Sequence, residues 1–306
     1  MTSSISDNAA VLLLAHGSPD TVDEVPDFLL QVTGGRPLPP PVVEEVKHRY
    51  SLIGRSPLTE LSLKQGELLS RELGVPVYVG MRNWKPYIVD AVRSMSSAGI
   101  TQAVVICLAP QNSRTSVGLY RSSLSGSNHI SFAIDFVESW HDHPLLIQAF
   151  AQKLTAGWER ACRDAAAKLP VIFTAHSVPQ RTIAAGDPYE YQAKHTASLV
   201  AGQASLVATD WAFAFQSQGM SGGEWLGPTV ESTILQLKEQ GHGGVFIQPI
   251  GFVCDHVEVL YDIDIGFRQF AEKEGMRLWR ADSLNDSPLL AKALADIARS
   301  RLATSQ

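Results

Sequence analysis

Two histidines close two apolar runs in this chain, LLLAHGSP at 12–19 and VIFTAHSVP at 171–179. An imidazole can accept a proton near neutral pH or ligate a borderline divalent metal, though not both at one instant. A lone histidine at the end of a strand is most often a structural hydrogen-bonder; a matched pair, His16 and His176, points to shared use. A third stretch, GFVCDHVEVLYDIDIGF at 251–267, carries Asp255, His256 and Glu258 from an apolar run into a helical pattern, with Asp262 a turn later. Positions 255, 258 and 262 have i, i+3, i+7 spacing and so share one face of a regular helix. A row of like carboxylates repels itself, and such rows bind cations or pass protons. The plainer reading makes Asp255 an N-cap and Glu258 its capping-box partner. That leaves Asp262 and Asp264 unexplained. One imidazole with one carboxylate suits an ion such as Fe²⁺, held in an open site that gives the metal up again.

FQSQGMSGGEWLGPTVES at 215–232 reads as a glycine-rich loop. Gly222, Gly223 and Gly227 permit close approach of backbone to a ligand. Trp225 is placed either to lie against a flat apolar ring or to anchor the loop in the core. The glycines lack GxGxxG or Walker spacing, so no nucleotide is expected. In the first half Arg36, Arg49, Arg55, Arg82, Arg114 and Arg121 fall in loop-like places. Each alone reads as a solvated charge; together they could hold substrate carboxylates.

These residues need strands and helices to aim them. Four β-rich runs occupy 11–16, 75–81, 103–110 and 130–137, and four more 170–176, 211–218, 244–253 and 276–281. Helical patterns lie between them, at 56–73, 86–99, 144–168, 188–206, 228–240 and 255–274, with a last one at 287–303. Thr21 and Glu24 fit a capping box ahead of another. Apolar runs without alternation, separated by helices, indicate parallel sheets covered on both faces. The expected fold is α/β, two similar doubly wound, Rossmann-like domains, each with a mainly parallel four-stranded sheet. Their expected extents are 1–142 and 143–306, with the last helix able to pack back on the first domain. Ligands of such sheets sit beyond the carboxyl ends of the strands, which is where His16 and His176 fall.

A length of 306 residues suits two domains. The net charge of −6 argues against a nucleic-acid partner. No apolar stretch reaches membrane-span length, and MTSSISDNAAVLLLAHGS lacks the basic start of a signal peptide, reading as a disordered tail and then a strand. A cytoplasmic location and a monomer are expected. Cys107, Cys162 and Cys254 are scattered without a CxxC, so a zinc site, an iron–sulfur cluster or a disulfide framework is not expected.

The stretches LLLAHGSPDTVDEVPDFL, RYSLIGRSPLTELSLKQGELL, VGMRNWKPYIVDAV, LAPQNSRTSVGLY, VESW, TAHSVP, FQSQGMSGGEWLGP and GFVCDHVEVLYDIDIGF, in this order, resemble the ferrochelatase family over about 11–285. The resemblance implies chelatase-type domains with a porphyrin clamped between them and Fe²⁺ as substrate. It implies His176 and Glu258 as iron ligands and Asp262 as an acidic position for metal delivery or outer metal binding; the chemistry of insertion adds the expectation that His176 is the main proton acceptor and that Asp255, His256 and Asp262 pass protons or ions. Arg49, Tyr50, Ser56 and Tyr120 match positions bordering the porphyrin, and His16 a position able to reach its metal from the other face. The chain departs from the family pattern at His16, at Thr33-Gly34 where a basic pair is common, at Asn83 in place of histidine, and at Gly266 in place of a carboxylate. It ends without a cluster-bearing cysteine tail. Coproporphyrin III and protoporphyrin IX both remain open as substrates. The competing readings are a chelatase for another metal or tetrapyrrole, and a porphyrin or haem carrier without turnover.

Overall fold

Ala9–Ala15 form strand β1, with every residue buried, because an unbroken apolar run can be hidden on both faces only inside a covered sheet. The computed structural model describes residues 8–127, 130–218 and 223–302. The first seven residues, expected to be a tail, and Gly222 lie outside these. After β1 come α1 (Val25–Val32), α2 (Pro40–Ile53) and α3 (Leu58–Leu73), then β2 (Val77–Met81), α4 (Ile88–Ser97), β3 (Gln102–Cys107), α5 (Val117–Ser125) and β4 (Ala133–Val137). All pairings are parallel and the strand order is β2-β1-β3-β4. Leu12 and Leu14 point to the face covered by Ile88, Val92 and Met95 of α4 and by α5. Leu13, one residue out of phase, lies on the α3 side, where Gly66 lets helix and strand approach.

The second sheet repeats this plan. α6 (Pro144–Ala165) leads to β5 (Val171–His176); α7 (Gln180–Ala184) and α8 (Tyr189–Gln203) precede β6 (Trp211–Gln216); α9 (Val230–Glu239) precedes β7 (Gly244–Pro249). Then follow α10 (Val257–Leu260), a π-helical segment Asp262–Phe267, α11 (Arg268–Lys273) and β8 (Arg277–Arg280). The order is β6-β5-β7-β8, again all parallel. Ile172, Val245 and Ile247 are covered by Ile234 of α9 and by Val259, Ile263 and Ala271. On the other face, Gly157 of α6 sits so close to the Phe246 ring that a Cβ would meet it at 2.9 Å.

By contacts the chain divides into Met1–Ala109, Ser116–Trp140 and Asn285–Gln306 as one unit and Pro110–Thr115 and His141–Leu284 as the other. The last helix, α12 (Pro288–Leu302), belongs to the first unit. Gln65 of α3 donates to the Asn285 carbonyl at 2.7 Å, and Arg301 pairs with Asp135 of β4 at 2.6 Å. No described helix is long and apolar enough to cross a membrane.

The eight strands fall where their apolar runs predict. Ahead of α1, the Glu24 carboxylate accepts from the Asp20 and Thr21 amides at 2.9 and 3.1 Å, as a capping box does. The helix expected over 255–274 is corrected. It starts only at Val257, and the Tyr261 carbonyl accepts both the Ile265 amide at 3.1 Å and the Gly266 amide at 2.9 Å. That second, i+5 bond defines a π turn, which breaks the regular 3.6-residue phase.

Candidate active site

His176 is the last residue of β5, at the carboxyl edge beside the point where the strand order reverses. Its Nδ1 lies 2.6 Å from the Ser177 carbonyl, an acceptor only, so Nδ1 carries a hydrogen, and in the neutral imidazole the lone pair is on Nε2. The Tyr189 hydroxyl, at the start of α8, donates to the His176 carbonyl at 2.9 Å. Burial first, then the Glu258 and Asp187 carboxylates, push the Tyr189 pKa up, so the phenol keeps the proton it donates.

The His176 Nε2 faces Glu258 Oε1 at 3.6 Å. Glu258 stands in the single turn of α10, and its carbonyl accepts from Gln216 Nε2 at 2.9 Å. Gln216 is fixed in turn by the Thr174 hydroxyl, which donates to Gln216 Oε1 at 2.9 Å. Both of these polar side chains are fully buried and satisfied, so β5 and β6 set the height of Glu258 from beneath. His256, the residue before α10, has Nδ1 3.1 Å from the Cys254 carbonyl and turns Nε2 to Glu258 Oε2 at 3.5 Å. Phe252 packs edge-on against that imidazole at 4.4 Å between centroids. One carboxylate thus lies between two Nε2 atoms, one per oxygen. Neutral imidazole nitrogens facing an anion repel it unless a proton or a cation comes between them. Two imidazoles and a carboxylate are the donor set that Fe²⁺, Co²⁺ or Zn²⁺ accepts. The buried Cys254 thiol is no competitor, since burial and then Asp255 push its pKa up to about 12.

The other acidic residues do not continue this arrangement, which corrects the expected carboxylate row. Asp255 lies before the helix and is not its N-cap residue, a place taken by His256. It accepts from the Ser283 hydroxyl at 2.7 Å and from Arg280 at 3.3 Å. Asp264 takes a two-pronged contact from Arg280, both bonds 2.8 Å. Burial works against the Arg280 charge, but the hydrogen bond and charge of Asp264, then Asp255 and Asp282, more than offset it and raise its pKa. Asp262 accepts from the Ser217 hydroxyl, and Ser217 holds the left-handed φ of 59° in doing so.

The glycine-rich loop returns beside His176. Pro179 bridges Trp225, the Gln180 amide donates to the Glu224 carbonyl at 2.9 Å, and the Leu226 amide donates to Val178 at 3.0 Å. The Ser177 hydroxyl donates to the Leu226 carbonyl at 2.9 Å. Trp225 is half-buried there.

In the first unit His16 follows β1. Its Nδ1 lies 3.0 Å from the Gly17 carbonyl, and its Nε2 accepts from the Asn83 amide at 2.9 Å. Gly17 has φ +87°, and a Cβ there would meet the Trp84 backbone nitrogen at 2.8 Å, so only glycine fits. Tyr50 is buried, its hydroxyl 3.1 Å from that of Ser18, and its ring packs on Phe28. Ser56 is buried before α3, and Tyr120 is buried in the α5 core. Arg49 reaches Glu45 at 3.0 Å on the exposed side of α2. Of the other arginines, Arg55 pairs with Asp20, Arg121 with Glu138 and Arg114 with Asp187, while burial lowers the pKa of Arg82. The sequence pointed to Asn83 only as a departure from the family pattern, not as the partner of His16, and Tyr189, Gln216 and Arg280 were missed. Gln216 and Arg280, polar residues closing apolar strands, were detectable signals; Tyr189 had none.

The ferrochelatase family model matches residues 8–302. A curated ferrochelatase of Acidobacterium capsulatum is 54% identical over 97% of this chain and 96% of its own length. A coproporphyrin III ferrochelatase of a Geobacillus species is 34% identical over 95% of this chain and 97% of its own. Among solved structures, the sirohydrochlorin chelatase SirB from Bacillus subtilis subspecies spizizenii, in complex with cobalt, matches with a TM-score of 0.57 at 10% identity, over 97% of this chain and 96% of that one. That last likeness is one of fold.

Proposed function

The chain belongs to the ferrochelatase family, and from that premise we propose that it inserts ferrous iron into a porphyrin, as a chelatase of haem synthesis, at the His176–Glu258–His256 cluster. The observation that carries this reading is one carboxylate set between two imidazole Nε2 atoms at a strand end. Insertion exchanges two pyrrole N–H protons for one Fe²⁺, so charge balances only if the protein takes up two protons on the way to solvent. With both Nδ1 atoms committed to backbone carbonyls, His176 Nε2, His256 Nε2 and the Glu258 oxygens are the acceptors, each imidazole within 3.6 Å of one Glu258 oxygen. In our assignment His176 removes pyrrole protons and meets the incoming iron, and Glu258 shares the ion and relays protons to His256. A neutral imidazole does one task at a time, so proton loss and metal transfer alternate at His176. Bending the macrocycle to expose its nitrogens is distortion of about 1–5 kcal/mol, met from binding elsewhere on the ring. Asp255 and Asp262 act at one remove, Asp255 through Arg280 and Asp262 through Ser217.

We assign Trp225 to the ring face beside His176, and His16, Arg49, Tyr50, Ser56 and Tyr120 to porphyrin binding, with Arg49 the exposed cation for a propionate. Coproporphyrin III is our preferred substrate, after the name of the Geobacillus relative; we take the enzyme to be a cytoplasmic monomer without an iron–sulfur cluster. The test is anaerobic absorbance after mixing protein, Fe²⁺ and either coproporphyrin III or protoporphyrin IX. Repeated conversion beyond one equivalent is expected, faster with coproporphyrin III. Saturation at one equivalent with both would make the protein a carrier; faster turnover of protoporphyrin IX would overturn only the substrate.

A further inference from the structure

Away from the His176 cluster, the loop entering α6 brings His141 and Asp142 against His195 of α8. His141 Nε2 lies 3.2 Å from His195 Nδ1, and His141 Nδ1 lies 3.9 Å from Asp142 Oδ1. Among the described residues this is the set of three histidine, cysteine or acidic side chains whose donor atoms all fall within 4.8 Å of one another. We propose that His141, Asp142 and His195 form a second divalent-cation site, for ions of the Zn²⁺, Co²⁺ and Fe²⁺ class, distinct from the insertion centre.

The spacing is that of a chelate. Two nitrogens each about 2.0–2.1 Å from one ion at a near-tetrahedral angle lie about 3.3 Å apart. Without an ion, the same two nitrogens fit this close only by sharing a proton, so a cation and a proton compete for one place. The surroundings favour the cation. Burial first, and then the neighbouring His195, lower the His141 pKa, against the opposing pull of Asp142, which keeps the imidazole in its ligating form. Its backbone is held as well: the Thr196 hydroxyl donates to the His141 carbonyl at 2.9 Å, and Gln111 donates to that hydroxyl at 3.1 Å. His195 is oriented from one turn back by Tyr191, whose ring stacks on it at 5.5 Å with 21° between planes. Asp142 is exposed and approaches His141 from its Nδ1 side, so it serves an ion held by His141 Nε2 and His195 Nδ1 as the neighbouring negative charge; solvent completes the coordination. Two neutral imidazoles and one carboxylate with an open side hold a borderline ion exchangeably.

The test is calorimetric titration of Zn²⁺ or Co²⁺ into the metal-free full chain at a pH above the ordinary histidine range. We expect two sites in the native protein. His195→Ala should remove one by more than the ~10–100-fold that loss of a mere outer partner costs, leaving the other intact. His176→Ala should do the reverse. His195 sits on the half-exposed flank of α8, so its variant carries the test if His141→Asn fails to fold. A single native site lost in His195→Ala supports this proposal and counts against tight binding at His176. A single site lost only in His176→Ala, no binding, or unchanged stoichiometry and affinity in His195→Ala overturns it.

Discussion

His16 and His176 occupy the same slot in two sheets of the same strand order, and each gives its Nδ1 hydrogen to the carbonyl of the following residue. The difference is what stands opposite Nε2. At His16 it is the Asn83 amide, 2.9 Å away and donating; at His176 it is a Glu258 oxygen, 3.6 Å away with nothing to donate. An amide uses the lone pair up, whereas a carboxylate leaves it available and invites a positive charge. Topology delivers a histidine to the strand end; in the proposed function, the residue facing it decides whether that histidine is held in place or acts as a reagent.

The sharpest way to break the comparison is to remove the reagent. His176→Ala should lower insertion by about 10²–10⁴-fold while porphyrin still binds, measured by anaerobic turnover and by quenching of porphyrin fluorescence. Near-normal turnover would dissolve the distinction. Glu258→Gln places an amide opposite His176, as at His16, and should slow insertion or raise the iron concentration needed; an unchanged iron dependence refutes the role of the carboxylate. Next in size is a difference in stability at the residues that follow. Gly17→Ala forces a side chain into a left-handed turn against Trp84 and should destabilise by about 2–3 kcal/mol. Ser177→Ala loses one hydrogen bond and should cost about 1 kcal/mol. Urea unfolding of both variants checks the order. The smallest effect belongs to Asn83→Ala, which uncovers the His16 lone pair. Insertion should change by less than about tenfold, or ~1.4 kcal/mol of barrier; a collapse as deep as that of His176→Ala would make the two histidines equals.

Why the sequence showed some of this and not the rest follows from range. Strands such as Ala9–Ala15 and Val171–His176 are legible because burial on both faces demands an unbroken apolar run. Helix α2 was not seen: it begins Pro-Pro, and of its fourteen residues only Tyr50 is buried, so it leaves almost no apolar stripe. Helix α5 escaped for a similar reason, being short and serine-rich. At the site, the pairing of His176 with Glu258 came from the family resemblance, and the His256 contact is local, two residues from Glu258. The partners of Asp255 and Asp264 come from Arg280 on another strand, 25 and 16 residues on, and no spacing rule reaches that far. The supposed row of carboxylates failed because spacing rules assume one regular helix: Asp255 lies before the helix begins at Val257, and beyond Asp262 the two amide hydrogen bonds accepted by the Tyr261 carbonyl interrupt it.

That shared Tyr261 oxygen has a consequence for how the segment can change through insertion and deletion. A regular helix is a gear of about 100° per tooth, and a π turn is a gear with one tooth too many. A π turn fits its extra residue into nearly the same rotation, so losing a single residue between 262 and 267 would restore even gearing with Glu258 still in mesh, whereas losing or gaining one in the single turn of α10 would swing Glu258 away from both imidazoles. Tolerance to a change of length therefore sits in the π turn and not in the turn that carries the carboxylate.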